Sequence, residues 1–262
     1  MADGSSPQEL LDVAVELAHR AGDLLLTRFG EPASGLGAKT TPTDLVSDAD
    51  RDAESLIRRS LRDWRGQDGI VGEEGSDRAT TSGITWVVDP LDGTVNFLYG
   101  IPVWSVSVAA LDEEGALCGA VFDPSKKESF TAVRGGGAAL NGRPIAVSGA
   151  TRIDQTMLAT GFAYDAGLRA VQAELIARML PKVRDIRRLG SAALDLCSVA
   201  LGRVDAYYEA PTEAWDRAAG ELVVIEAGGV VTHVPSPTGA GMGVVASSPG
   251  IHDDLVRLVT AG

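Results

Sequence analysis

The sequence predicts an α+β half followed by an α/β half, packed as one compact unit. Two observations carry this. Residues 69–148 form a series of short apolar runs broken by turns, the pattern of an antiparallel meander. After residue 150 the pattern changes to strand-like runs alternating with helical ones. There are no internal repeats and no low-complexity linker, so 1–148 and 149–262 are expected to pack against each other.

The first helix is marked by Ser6-Pro7-Gln8-Glu9, a capping box with proline at the first helical position. Leu10, Ala14, Leu17, Ala21 and Leu25 follow at helical spacing, and Gly30 and Pro32 stop the run. A second helix is expected from Ser47, with Ala53, Ile57, Leu61 and Trp64 on one face. The segment between them is polar and turn-rich, and it contains Lys39 and Asp44. Strands are expected at "GIVGEE", "ITWVVDP", "VWSVSVAAL", "LCGAVFDP", "ESFTAVR" and "RPIAVS". In the second half, strands are expected at "MLATG", "RDIRRL", "VDAYYE", "GVVTH" and "GVVASS". Helices are expected at 165–180, "SAALDLCSVALG", 215–227 and 250–261.

Composition narrows the function classes. The chain has 262 residues, 45% hydrophobic and 23% charged, with a formal net charge of −13. Such a surface repels nucleic acid and anionic membranes, so neither is expected as a partner. Cys118 and Cys197 lie in apolar contexts without a CxxC pattern, which suits buried free thiols in a reducing cytoplasm. The first residues show no basic stretch leading into an apolar run, so no signal peptide is expected. His19, His233 and His252 are too scattered to suggest a zinc site.

The informative feature is a set of acids at the ends of apolar runs. Glu73 and Glu74 follow "GIVG", Asp89 and Asp92 follow "ITWVV", and Asp216 follows Trp215. A buried carboxylate is costly unless it is paired or bound to a cation. Hard divalent cations such as magnesium take carboxylate and carbonyl oxygens. In "DPLDGT", Pro90 stiffens the turn and Gly93 permits close approach, so Asp89, Asp92 and the Leu91 carbonyl converge. The following "GTVNF" reads as a short helix whose free N–H groups at Gly93 and Thr94 suit a phosphate, while the Thr94 hydroxyl orients a water. Taken singly, each acid pair is more often a solvated turn or a helix cap. "RGGGA" lacks the lysine and hydroxyl residue of a P-loop and reads as a hairpin turn, and Ser105 and Ser107 read as sheet residues.

"GIVGEE" at 69–74, "WVVDPLDGTVNF" at 86–97 and "WDRAAGELVVIEAGG" at 215–229 together resemble the signature segments of the inositol monophosphatase family, in the family's order. The resemblance runs through most of the chain. It implies a five-layered αβαβα sandwich, a homodimer, two or three magnesium ions per subunit and sensitivity to lithium. It implies that Glu73, Asp89, the Leu91 carbonyl, Asp92 and Asp216 are metal ligands, with Asp89 bridging two ions. Glu73 and Thr94 would position the attacking water, and Asp50 would hold Thr94. Asp92, Gly93 and Thr94 would line the phosphate side, and Gly190, Ser191, Ala192 and Glu209 the polyol side. Lys39 would lie near the site, and Glu213 is expected to be a solvated loop acid.

The expected activity is magnesium-dependent hydrolysis of myo-inositol monophosphates, small phosphorylated polyols. Related readings are a fructose-1,6-bisphosphatase, a histidinol-phosphate phosphatase, or a phosphatase fold whose main role is partner binding. "GSAALD" and "YYE" favour the inositol reading among the enzymes.

Overall fold

The structure is a computed structural model and describes residues 5–32, 34–39, 45–75, 77–239 and 241–261. Asp44 lies outside the described residues. The chain opens with helix α1 (Pro7–Leu26), whose Ser6 side chain accepts from the Glu9 N–H while Glu9 accepts from the Ser6 N–H. A two-residue hairpin, β1 (Gly37–Ala38) and β2 (Leu45–Val46), leads into α2 (Asp48–Trp64).

A seven-stranded sheet follows in chain order: β3 (Gly69–Gly72), β4 (Thr85–Asp92), β5 (Ser105–Asp112), β6 (Gly115–Asp123), β7 (Glu128–Val133), β8 (Gly137–Leu140) and β9 (Arg143–Pro144). The short helix α3 (Thr94–Leu98) interrupts it after β4. The second half forms a five-stranded sheet of order β11-β10-β12-β14-β13. Its elements are β10 (Met157–Thr160), α4 (Ala166–Met179), β11 (Asp185–Arg187), α5 (Ala192–Ala200), β12 (Ala206–Glu209), α6 (Ala214–Glu226), β13 (Val230–Pro235), β14 (Met242–Ser247) and α7 (His252–Thr260).

The layers follow from the two-residue period of the strands. Trp86 and Val88 of β4, with Val106, Val108 and Ala110 of β5, pack under α1 and α2. Their neighbours Val87 and Ala109 face the other way, against α5 and α6. Tyr207 of β12 joins that middle layer, while Ala206 and Tyr208 turn outward to Leu175 and Met179 of α4 and Leu255 of α7. The result is helix, sheet, helix, sheet, helix. Phe29, Phe97 and Trp104 form an aromatic cluster with centroids 5.1–5.5 Å apart, which seats α3 on the first core.

Three details depart from the sequence expectation. β3 and β4 pair parallel, because the chain after β3 first turns back, with Arg78 bridging antiparallel to Ile70, and then returns to run beside β3 as β4. Trp64 is 45% exposed, in the last turn of α2 beyond the core edge, where the Arg20 guanidinium lies 5.3 Å over its ring. The "RPIAVS" segment is strand only at Arg143–Pro144. The glycine run at 135–137 is the expected turn, and both cysteines are buried free thiols. Among the described residues, no helix is long and apolar enough to cross a membrane.

Asp68 ties the entry of β3 to the core. Its carboxylate accepts from Trp86 Nε1 at 2.8 Å, Arg65 Nε at 2.7 Å and Ser82 Oγ at 2.6 Å, and it is 1% exposed. Asp68→Ala leaves an indole N–H unpaired and a guanidinium deprived of its carboxylate, so it should cost about 3 kcal/mol in urea unfolding. A loss below about 1 kcal/mol would show that water replaces the carboxylate freely.

Candidate active site

A cavity of about 750 Å³ opens where the end of β4 meets α5, α6 and β12. Its shape depends on an irregularity in β4. Asp89 pairs with Ser107 and Asp92 with Ser105, so three steps on β4 match two on β5. In a regular strand, residues three apart point to opposite faces. The extra residue reverses that parity, and both Asp89 and Asp92 line the same cavity. Pro90 lies inside the bulge, where a missing N–H costs no ladder bond. The Leu91 N–H donates to Asp89 Oδ1 at 3.0 Å, which fixes the turn.

Gly93 follows with φ at +93°, and a Cβ there would lie 2.9 Å from the Val103 carbonyl and 3.2 Å from that of Gly190. Only glycine meets both demands comfortably. Thr94 then starts α3. Its hydroxyl lies 2.8 Å from Asp50 Oδ1 and 3.0 Å from the Leu91 carbonyl. Asp50 is held in turn by Ser47, whose N–H and hydroxyl donate to Oδ2 at 2.9 and 2.7 Å. The capping box of α2 thus carries the carboxylate that binds Thr94.

Two other carboxylates reach the cavity from β3. The Lys39 ammonium donates to Glu73 Oε1 at 2.7 Å and also pairs with Glu74. Burial pulls the Lys39 pKa down, but the charges and hydrogen bonds of Glu73 and Glu74 outweigh it and leave the pKa raised. Burial pushes Glu73 up, partly offset by Lys39 and by a hydrogen bond with Asp89. The Glu74 N–H donates to Glu54 at 2.6 Å, and Glu54 is itself paired with Arg58.

Asp92 sits against the N-terminus of α5. It accepts from Ser191 Oγ at 2.5 Å, the Ala193 N–H at 2.8 Å and the Ala192 N–H at 3.2 Å. Burial raises its pKa to about 6, despite these bonds. Asp216, in the first turn of α6, accepts from the Glu213 N–H at 2.7 Å, and burial with the charges of Asp92, Glu73 and Glu209 holds it well above the carboxylate range. Asp89 is likewise held well above that range by burial, then by the charges of Glu73, Asp92 and Asp216.

The far wall belongs to the second half. Glu209, at the end of β12, accepts from the Tyr207 hydroxyl at 2.7 Å. A Cβ on Gly161 would lie only 1.9–2.3 Å from the Glu209 carboxyl, so glycine there makes room for it. Gly190, with φ at +101°, precedes Ser191, the N-cap of α5, and Asn96 of α3 donates to the neighbouring Leu189 carbonyl at 2.8 Å.

Each sequence-selected residue therefore has a place. Lys39, Glu73, Asp89, Leu91, Asp92, Gly93, Thr94, Gly190, Ala192, Glu209 and Asp216 line the cavity. Asp50 and Ser191 lie just behind it, bonded to Thr94 and Asp92. Glu213, expected as a solvated loop acid, is exposed and also stands on the cavity rim. Sequence reasoning missed Phe162, Tyr164, Arg188 and Trp215 on the wall, and Asn96 and Tyr207 as braces. Ser105, read only as a sheet residue, also touches Asp92 weakly at 3.4 Å. Its place beside the bulge was the available signal.

The donor set fits a hard divalent cation. It is all oxygen, it is buried, and its carboxylates raise one another's pKa. Among the described residues, no three His, Cys, Asp or Glu side chains close on one point. Lys39, the α5 N-terminus and the Glu213 N–H each draw one carboxylate aside.

The Ser47 cap gives a direct test of this scaffold. Ser47→Ala removes the hydroxyl that accepts from the Ala49 N–H at 3.2 Å and donates to Asp50. It should destabilise the protein by about 1 kcal/mol in urea unfolding. No measurable loss would mean that α2 does not depend on this cap.

The sequence pattern of the Inositol monophosphatase family matches residues 6–261. Inositol-1-monophosphatase SuhB of Mycobacterium tuberculosis is 42% identical over 96% of this chain and 93% of its own length. Nus factor SuhB of Escherichia coli is 40% identical over 85% of this chain and 84% of its own. The crystal structure of extragenic suppressor protein suhB from Bartonella henselae superposes with a TM-score of 0.88 at 36% identity, covering 97% of this chain and 99% of that one. With its five layers and its cavity at the end of β4, the chain belongs to the inositol monophosphatase family, whose activity is that of a phosphatase.

Proposed function

We propose that the protein hydrolyses myo-inositol monophosphates to inositol and phosphate, with magnesium as its cofactor. The observation that carries this reading is the β4 bulge, which turns Asp89 and Asp92 into one cavity beside the Thr94–Asp50 hydrogen bond. Glu73, Asp89, the Leu91 carbonyl, Asp92 and Asp216 would hold the ions. Bound there, magnesium supplies charge neutralisation for the phosphate, activation of water and stabilisation of the leaving alkoxide.

The chain's own residues do the rest. The Gly93 and Thr94 N–H groups at the start of α3 receive phosphate oxygens. The Thr94 hydroxyl donates to Asp50, which leaves Thr94 Oγ1 as an acceptor for a proton of the attacking water. Glu73 accepts the other proton and keeps that water in line with phosphorus. Glu209 accepts from the hydroxyls of the polyol. The curated relative in Mycobacterium tuberculosis carries the name inositol-1-monophosphatase, which supports the choice of substrate.

Two variants, with removal of magnesium, test this. Asp89→Asn keeps the shape of the side chain and removes its charge, so it should fold as judged by circular dichroism and lose roughly a thousandfold or more in phosphate release. Magnesium should raise the melting temperature of the chelator-treated native protein, and this rise should be lost in Asp89→Asn. Undiminished activity in chelator would remove the metal mechanism. Thr94→Ala should retain the magnesium-dependent rise and yet lose roughly 10²–10⁴-fold in kcat. Native turnover in that variant would mean that another group holds the water.

A further inference from the structure

Eight acidic and two basic residues line the cavity. Of the two cations, Lys39 is bonded between Glu73 and Glu74. Arg188 is different. It is exposed at the cavity wall, and among the described residues no hydrogen bond or ion pair holds its guanidinium.

Its position is nevertheless fixed by the chain around it. Arg188 stands between β11 and the N-cap of α5, in a segment clamped by the Asn96–Leu189 hydrogen bond. A Cβ on Gly190 would lie 2.5 Å from Arg188 Nη1, so the guanidinium folds back over that glycine. Glu209 lies on the same wall with Oε2 bonded to Tyr207, and among the described residues no bond is made to Oε1. Burial raises the Glu209 carboxyl, and the Tyr207 bond and the Arg188 charge pull it back. Arg188 and Glu209 therefore feel each other across the cavity without closing into an ion pair.

A donor-only group and an acceptor-only group that face one space without touching suit a ligand that can answer both. A hydroxyl donates to a carboxylate and accepts from a guanidinium. Two neighbouring hydroxyls on one ring engage the pair with no net charge brought in. A second phosphate would satisfy Arg188 but would also face the Glu209 and Glu213 carboxylates on the same cavity.

Resting on the reading of the site as a polyol-phosphate phosphatase, we infer that Arg188 is a specificity-determining residue. It donates to a hydroxyl of the polyol leaving group beside the hydroxyl read by Glu209. This makes the far end of the cavity selective for a neutral vicinal diol.

The test uses the full-length magnesium-loaded enzyme and three esters: inositol 1-phosphate, ethyl phosphate, which has no hydroxyl, and fructose 1,6-bisphosphate. Arg188→Ala should raise KM for inositol 1-phosphate roughly ten- to a hundredfold, with kcat within about twofold, and leave ethyl phosphate unchanged. Arg188→Lys, which keeps the charge but loses the planar fork, should fall between the two. Both variants should melt with the wild type, since the side chain is exposed and unbonded.

Equal losses on inositol 1-phosphate and ethyl phosphate would make Arg188 merely structural and overturn the inference. An unchanged KM for inositol 1-phosphate overturns it too, as does a larger loss on the bisphosphate, which would make Arg188 a reader of a second anion. A wild type with no preference for inositol 1-phosphate over ethyl phosphate would instead remove the functional reading, and this inference with it.

Discussion

Four carboxylates, Glu73, Asp89, Asp92 and Asp216, share one cavity, and their mutual repulsion is the constraint to which the surrounding structure responds. Asp89 is the extreme case, since burial and three neighbouring acids all oppose its charge. A protein of ordinary stability cannot leave such charges uncompensated. Each is answered by a different device. Lys39 answers Glu73, the Leu91 N–H answers Asp89, the N–H groups of α5 answer Asp92, and the Glu213 N–H at the α6 N-cap answers Asp216. These answers are partial, because the pKa of every one of these carboxyls stays raised. A site that binds a cation needs this balance. Full internal neutralisation would leave nothing for the ion to do, and none would prevent folding.

The same constraint explains why the two halves do not act separately. Asp92 belongs to the first sheet, yet the groups that hold it come from α5 in the second half. A Cβ on Gly93 would lie 3.2 Å from the Gly190 carbonyl across this seam, tighter than side chains ordinarily pack. Asn96 of α3 bonds across the same seam. The β4 side and the β12 side of the cavity are thereby fixed relative to each other, which positional catalysis requires.

Much of this was legible in the sequence, and the limits have physical causes. The capping box at Ser6, the helix start near Ser47, the buried strands and the acids at their ends are local signals, and local signals are written in neighbouring residues. The αβαβα layering came through the family resemblance, not from periodicity, which predicted only two halves. Periodicity also missed the parallel pairing of β3, because a double reversal and a hairpin return leave similar strand patterns. It placed Trp64 on the buried face by counting turns, without knowing where the sheet beneath α2 ends. Arg188, Asn96, Tyr207 and Gly161 escaped for a different reason. Asn96 acts through partners 7 and 93 residues away, and the other three act through side-chain directions or space that only the folded chain defines.

The bulge in β4 shows most clearly how a local irregularity becomes chemistry. Without it, the alternation of β4 would send Asp92 to the opposite face from Asp89, one toward the α1–α2 layer and one toward α5. One carboxylate would then lie in an apolar core with no cation within reach, a cost of several kcal/mol. The bulge costs little by comparison, because one of its two unpaired residues is Pro90, which has no N–H to lose. It also ends the strand, so that Gly93 turns the chain and α3 begins at Thr94 on the wall of the same cavity. A single inserted residue thus places two acids, one hydroxyl and a helix N-terminus around one point. The rest of the cavity, from the Asp50 cap to the Arg188–Glu209 wall, is arranged about that point.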